Sequence, residues 1–218
     1  MRWLSLFLSL LAISLLSACA GIGSLNRAAQ SSELYSLTPK STFDSSLPRL
    51  RQQIVVEEPT ATAAVDTDQV AVMPNALQVQ YLPGVRWVDR APLIVQSLLI
   101  ESFENSGRVA AVGRSTVGLR PDYMIVTDIR EFQATLVNRE DEESALQAEV
   151  RLNIKIVDAY SDHIVGSSSF EKIRVSASDE MIDIATAFDG ALGSAMRGAV
   201  EWSIRKIHTH ASQNPRPF

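Results

Sequence analysis

The chain carries one thiol, three imidazoles and a scatter of carboxylates, and the chemistry open to them is narrow. Cys19 is the only cysteine, so neither a disulfide nor a thiolate metal cluster can be built, and what remains is the reactivity of one sulfur. His208 and His210 stand two apart near the C-terminus, a spacing that puts them on different sides of a helix, with no carboxylate close in sequence. His163 stands alone beside a polar turn. Asp122, Asp128, Glu131 and the run Glu140–Glu143 are the carboxylates worth weighing for acid–base work. A working pair needs two unlike environments, and the run falls in a turn where solvent makes its members alike. HExxH, GxSxG, GxGxxG and a phosphate loop do not occur. The residues therefore point to no catalytic set, no metal and no cofactor, and to a chain that is not an enzyme.

The position of Cys19 defines its chemistry. Arg2 lies just ahead of a run from Leu4 to Leu16 interrupted only by Ser5, Ser9 and Ser14, and Ser17 and Ala18 follow as small residues. This is the charged start, apolar middle and small-residue exit of a secretory signal spanning residues 1–18. The apolar run of about 13 residues is too short to span a bilayer, which takes about 20. Leu16-Ser17-Ala18-Cys19 resembles the lipobox of bacterial lipoproteins, in which the cysteine receives a diacylglyceryl thioether and the chain is cut in front of it. The resemblance makes a covalent lipid on Cys19 the expected modification. Each buried CH₂ of an acyl chain contributes about 0.8 kcal/mol, so two or more chains anchor a protein stably. Residue Ala20, in the position that sorts such lipoproteins, is not the aspartate that signals inner-membrane retention. The resemblance thus implies delivery to the periplasmic face of the outer membrane.

Removing the leader takes the formal charge from −5 to −6 over 200 residues, an acidic body long enough for one core. No basic run is present, which argues against a nucleic-acid partner. Residues 19–33 (CAGIGSLNRAAQSSE) form the lipidated cysteine and a tether without periodicity. From Leu34 the pattern predicts short strands at 34–37, 54–56, 69–73 and 77–82, the last two joined by a turn at Pro74-Asn75 and the second closed by Pro83-Gly84. Asp89 is placed to cap a helix over 90–105 with Pro92 in its first turn and Gly107 past its end. Val95, Leu98, Leu99, Ser102 and Phe103 make its inward stripe. Leu93 and Ile100 fall largely off that stripe, and with Trp87 just ahead of the helix they are candidate partner contacts, although Trp87 reads first as a core plug where strand meets helix.

A strand follows at 109–112, and then a long one at 123–136. Its inward set Tyr123, Ile125, Thr127, Ile129 resumes as Phe132, Ala134, Leu136, a slip of one residue that a β-bulge near Arg130-Glu131 absorbs. Strict alternation of Leu146, Ala148, Val150, Leu152, Ile154 and Ile156 marks the next strand, and Asp158–Asp162 turns into a strand from His163 to Lys172. A long helix is predicted from Asp179 to Ile207, capped by Ser176 or Ser178, with a stripe of Met181, Ile184, Ala185, Phe188, Leu192, Ala195, Met196 and Ala199. Gly190, Gly193 and Gly198 interrupt that helix at about 1 kcal/mol each against alanine, which close packing on the sheet would explain. Residues 34–207 then form a single α+β domain, an antiparallel sheet of about six strands with a short helix and a long C-terminal helix on one face, and 208–218 a flexible tail.

The order of landmarks carries a further resemblance: the lipobox, Tyr35 to Leu37, the strand ending at Pro59, Tyr81-Leu82, Trp87, the helix opened by Pro92-Leu93, Arg120-Pro121-Asp122-Tyr123, and Phe132. Together they resemble the ABC-type transport auxiliary lipoprotein family of the paraquat-inducible type, over residues 33–207. The resemblance implies a non-enzymatic, lipid-anchored periplasmic protein whose partners are an Mce-domain protein and its permease and ATPase, moving phospholipid or other hydrophobic molecules between membranes. A carrier that itself holds an apolar ligand is the alternative, and a small hydrolase a third reading without a polar site to support it. The chain departs from the family at Tyr81-Leu82-Pro83-Gly84, where the basic residue often found soon after this strand has its nearest candidate in Arg86. Replacing Cys19 by alanine is expected to leave the body folded but move it from the membrane to the soluble fraction on cell fractionation; retention on the membrane after signal removal would contradict the anchor.

Overall fold

In the computed structural model residues 32–115, 120–139 and 142–215 are described. The strands are β1 (Glu33–Tyr35), β2 (Leu50–Val56), β3 (Thr60–Ala61), β4 (Gln69–Asn75), β5 (Gln78–Trp87), β6 (Val109–Gly113), β7 (Tyr123–Arg139), β8 (Glu142–Asp158) and β9 (His163–Val175). Helix α1 is Ala91–Asn105 and helix α2 is Met181–Gln213.

Among the described residues the nine strands form one sheet, and it is mixed, not antiparallel as the sequence suggested. β7 organises it. One edge of β7 pairs antiparallel with β8 from Tyr123↔Asp158 to Arg139↔Glu142, and β8 pairs antiparallel with β9. The other edge takes three strands in series, all parallel: β2 at Tyr123–Ile125, β3 at Asp128–Ile129 and β4 at Ala134–Thr135. β6 joins β2 in parallel, while β5 returns antiparallel on β4 and carries β1 at its far side. Short turns enforce the antiparallel meander of β7, β8 and β9; parallel partners need crossovers, which local alternation does not reveal.

The expected bulge is present, the β7–β8 register shifting between Ile129 and Glu131. It keeps Tyr123, Ile125, Thr127 and Ile129 on the same buried side as Phe132 and Ala134. Leu136, expected to continue that set, is 46% exposed, because the hairpin runs on past the core. In the β4–β5 hairpin the turn residues are Ala76 and Leu77 rather than Pro74-Asn75. Asn75 pairs with Gln78, and its Oδ1 accepts from the Leu77 N–H at 3.1 Å, a local turn that asparagine favours. β5 continues through Pro83-Gly84 as an irregularity between Tyr81 and Arg86, made possible by a φ of +75° at Gly84.

The stripe of α1 is buried as expected, and Gln96 Nε2 donates to the Val56 carbonyl at 3.0 Å. α2 runs six residues beyond Ile207, so residues 208–213 of the expected tail are helical; residues 216–218 lie outside the described set. Its N-cap is Glu180 without a side-chain cap. Ser176 instead donates to the Ser178 carbonyl and Ser178 to Asp183, so the expected capping box does not form. Of the three glycines, Gly198 fits the packing reason, since a Cβ there would sit 3.0 Å from the Phe170 ring. Gly190 and Gly193 face only the side chains of Arg174 and Lys40 at 3.7 Å and beyond, so close sheet packing does not account for them.

The centre of the core is aromatic. Trp87, Phe132 and Phe188 meet edge-on or tilted with ring centroids 5.1 to 5.8 Å apart, joining β5, β7 and α2. Such pairs add about 0.5–1.5 kcal/mol each beyond burial. Trp87→Ala is therefore expected to destabilise the fold by about 3–5 kcal/mol, read as a lower midpoint in chemical denaturation.

Candidate interaction surface

The residues singled out in the sequence scatter in the structure. Leu16, Ser17, Ala18, Cys19 and Ala20 lie outside the described residues. Trp87 is 1% exposed and plugs the core, which removes it from the candidate contact surface. Ile100 is half-buried and packs against the core. Leu93 is half-buried and lines a shallow groove of about 430 Å³ with Ser36, Leu37, Val88, Ile94 and Ser97, closed by Glu101. Ile100 does not line it.

The β5–α1 corner that presents this groove is held by backbone and charge together. Trp87 N–H donates to the Asp68 carbonyl at 2.7 Å, Val88 N–H to the Tyr35 carbonyl at 3.0 Å, and Ala91 N–H to the Thr67 carbonyl at 3.1 Å. Arg86 pairs with Asp68 at 2.9 Å. Arg90 pairs with Asp66, its Nε at 2.8 Å, and reaches Glu58 at 3.7 Å; the hydrogen bond to Asp66 raises the guanidinium pKa above its ordinary value. The N-cap is Arg90, not Asp89, and no side chain caps the helix. Asp89 Oδ1 accepts the Arg90 N–H at 2.7 Å instead. None is required, because Ala91 donates to Thr67, Pro92 has no N–H, and Leu93 donates to Arg90. The corner thus fixes Val88, 52% exposed, beside Leu93.

The histidines form no site of the expected kinds. His163 and His208 are exposed. His210 Nδ1 lies 2.9 Å from the Tyr123 hydroxyl and 3.8 Å from Asp158 Oδ2, a carboxylate that is remote in sequence and near in space. Tyr123 is 1% exposed, so this cluster ties the end of α2 to β7 and β8. The sequence signal for it was the polar pair of turns around Asp122 and Asp158, but their meeting with His210 depends on helix length. Asp128 pairs with Arg130 and Glu131 with Arg151 on the strands. Among the described residues no three His, Cys, Asp or Glu side chains are placed to hold a metal, and no helix is long and apolar enough to cross a membrane.

Two helices lie on a mixed sheet over a filled core, and the recesses are shallow and on the surface. The chain belongs to the ABC-type transport auxiliary lipoprotein component family, whose model matches residues 35–200. It is 27% identical over 176 residues to an uncharacterized protein, bll6063, of Bradyrhizobium diazoefficiens, covering 79% of this chain and 45% of that one; it thus spans less than half the length of this curated relative. Among solved structures, protein XCC0632 from Xanthomonas campestris superposes with a TM-score of 0.75 at 25% identity, over 82% of this chain and 99% of the other. A second uncharacterized protein shares the fold at a TM-score of 0.59 and 9% identity, over 81% and 99%.

Replacing the half-buried Leu93 by serine is expected to cost about 1 kcal/mol or less, as surface substitutions do, and to leave the circular dichroism spectrum unchanged. A cost several times larger would place Leu93 in the core and not on a contact surface.

Proposed function

We propose that this chain is the lipid-anchored periplasmic auxiliary component of an Mce-type ABC transport system that moves phospholipid or other hydrophobic molecules between membranes. The observation that carries the reading is the family match over residues 35–200 in a chain whose only cysteine, Cys19, stands at the end of a lipobox-like exit. In this reading the lipid on Cys19 holds the body on the periplasmic face of the outer membrane, Ala20 directing it there. The body itself docks on an Mce-domain protein whose permease and ATPase lie in the inner membrane. The groove at Val88 and Leu93 is the proposed contact, since it is set on a braced corner with Val88 exposed.

The carrier alternative needs an apolar cavity between sheet and helices. That space is filled by Trp87, Tyr123, Phe103, Phe188, Leu152 and Ile154, each under 2% exposed, which favours an adaptor over a vessel. Crosslinking in cells followed by purification in detergent is expected to recover an Mce-domain protein with the wild-type chain, and less of it with Leu93→Ser. Recovery of no Mce or permease component would overturn the proposal.

A further inference from the structure

A cleft that adjoins the corner groove at Pro39 is lined by two cations and a single carboxylate. It measures about 340 Å³ and is lined by Thr38, Lys40 and Ser41 from the segment after β1, Arg174 from β9, and Asp189, Gly190, Gly193 and Ser194 from α2. Among the described residues neither Lys40 nor Arg174 belongs to an ion pair. The Arg174 guanidinium makes only long contacts, 3.4 Å to the Ile173 carbonyl and 3.4 Å to Ser194 Oγ. In a chain of formal charge −5, two cations against one carboxylate in a single recess are not the background of a basic surface.

The frame around them is rigid. Lys40 N–H donates to Ser102 Oγ at 2.9 Å, and the Lys40 carbonyl accepts from Asn105 Nδ2 at 3.2 Å, so both sides of its backbone are tied to α1. Thr38 is tied to α2, its N–H and hydroxyl donating to Asp189 at 2.6 and 2.9 Å. Those bonds occupy the one carboxylate in the cleft. Gly190, Gly193 and Ser194 share one helix face by their spacing. Any larger side chain at the two glycines would stand in the cleft, against Arg174 and Lys40.

We infer that this cleft binds a phosphoryl group, through the cations of Lys40 and Arg174 and the hydroxyls of Ser41 and Ser194. Guanidinium and ammonium groups with hydroxyl donors are the side chains that phosphate oxygens recruit. Two positive charges with one carboxylate leave a single net positive charge, which matches the single negative charge of a phosphodiester. The same chemistry serves the headgroup of a phospholipid or free phosphate, and the inference does not depend on the transport assignment.

The test uses the full chain in a nonionic detergent and ³¹P line broadening of two soluble probes, inorganic phosphate and glycerophosphoglycerol, the deacylated phosphodiester. Broadening at millimolar probe is expected, and Lys40→Gln with Arg174→Gln is expected to weaken binding about three- to tenfold, the range for two exposed charge contacts. Lys155→Gln with Lys206→Gln removes the same charge elsewhere and is expected to leave the broadening intact. Gly190→Ala is expected to weaken binding while raising the melting temperature. Broadening of the diester alone assigns the cleft to a lipid headgroup, and of phosphate alone to the free anion. No broadening of either probe, or equal losses in the two double variants, would overturn the inference.

Discussion

The fold depends on the two hydrogen-bonding edges of β7. A strand of 17 residues offers more unpaired backbone than one neighbour of ordinary length can satisfy, and unpaired buried amides are costly. β8 meets one edge along its whole length, while β2, β3 and β4 divide the other. That division places β4 and β5 far along β7, and so places Trp87 at the end of β5 over Phe132. Without the bulge between Ile129 and Glu131, Phe132 would point to the opposite face and Trp87 and Phe188 would lose the ring between them.

The two helices complete one side of this sheet and generate the surfaces on which a partner or ligand can act. α1 is short, its start determined by backbone partners in the 62–68 loop, so the corner carrying Val88 and Leu93 is as rigid as that loop. α2 is long enough to serve the whole sheet: its middle packs on Phe132 and Trp87 through Phe188, and its last turn reaches Tyr123 through His210. The segment between β1 and β2 lies across both helices, held by Asp189, Ser102 and Glu201. Asp44 in that segment has its carboxyl pKa lowered by the Ser46 N–H and hydroxyl and by Arg205, and it is the charge clamp between this segment and the end of α2.

Such a body suits an auxiliary component. A filled core and a braced exterior transmit position, and a lipid on Cys19 would supply location by burying hydrocarbon in a membrane, a free energy that the fold need not provide. The family match and the shared fold with the Xanthomonas protein place the body among the ABC-type transport auxiliary lipoprotein components.

Much of this was written in local pattern. The meander of β7 to β9, the bulge, the stripe of α1 and that of α2 follow from apolar periodicity and turn residues, which act over a few positions and so are legible in one dimension. Trp87 was ambiguous because a tryptophan between strand and helix reads alike whether it faces core or solvent; only Phe132 and Phe188, brought from distant elements, decided it. The parallel pairing of β2, β3 and β4 on β7 was equally hidden, since a half-buried strand alternates in the same way whichever direction its neighbour runs. The placing of Lys40 and Arg174 in one cleft, and the meeting of His210 with Asp158, belong to tertiary structure for the same reason. Charges separated by more than fifty residues have no sequence period linking them, and their partners are chosen by where helices and strands end in space.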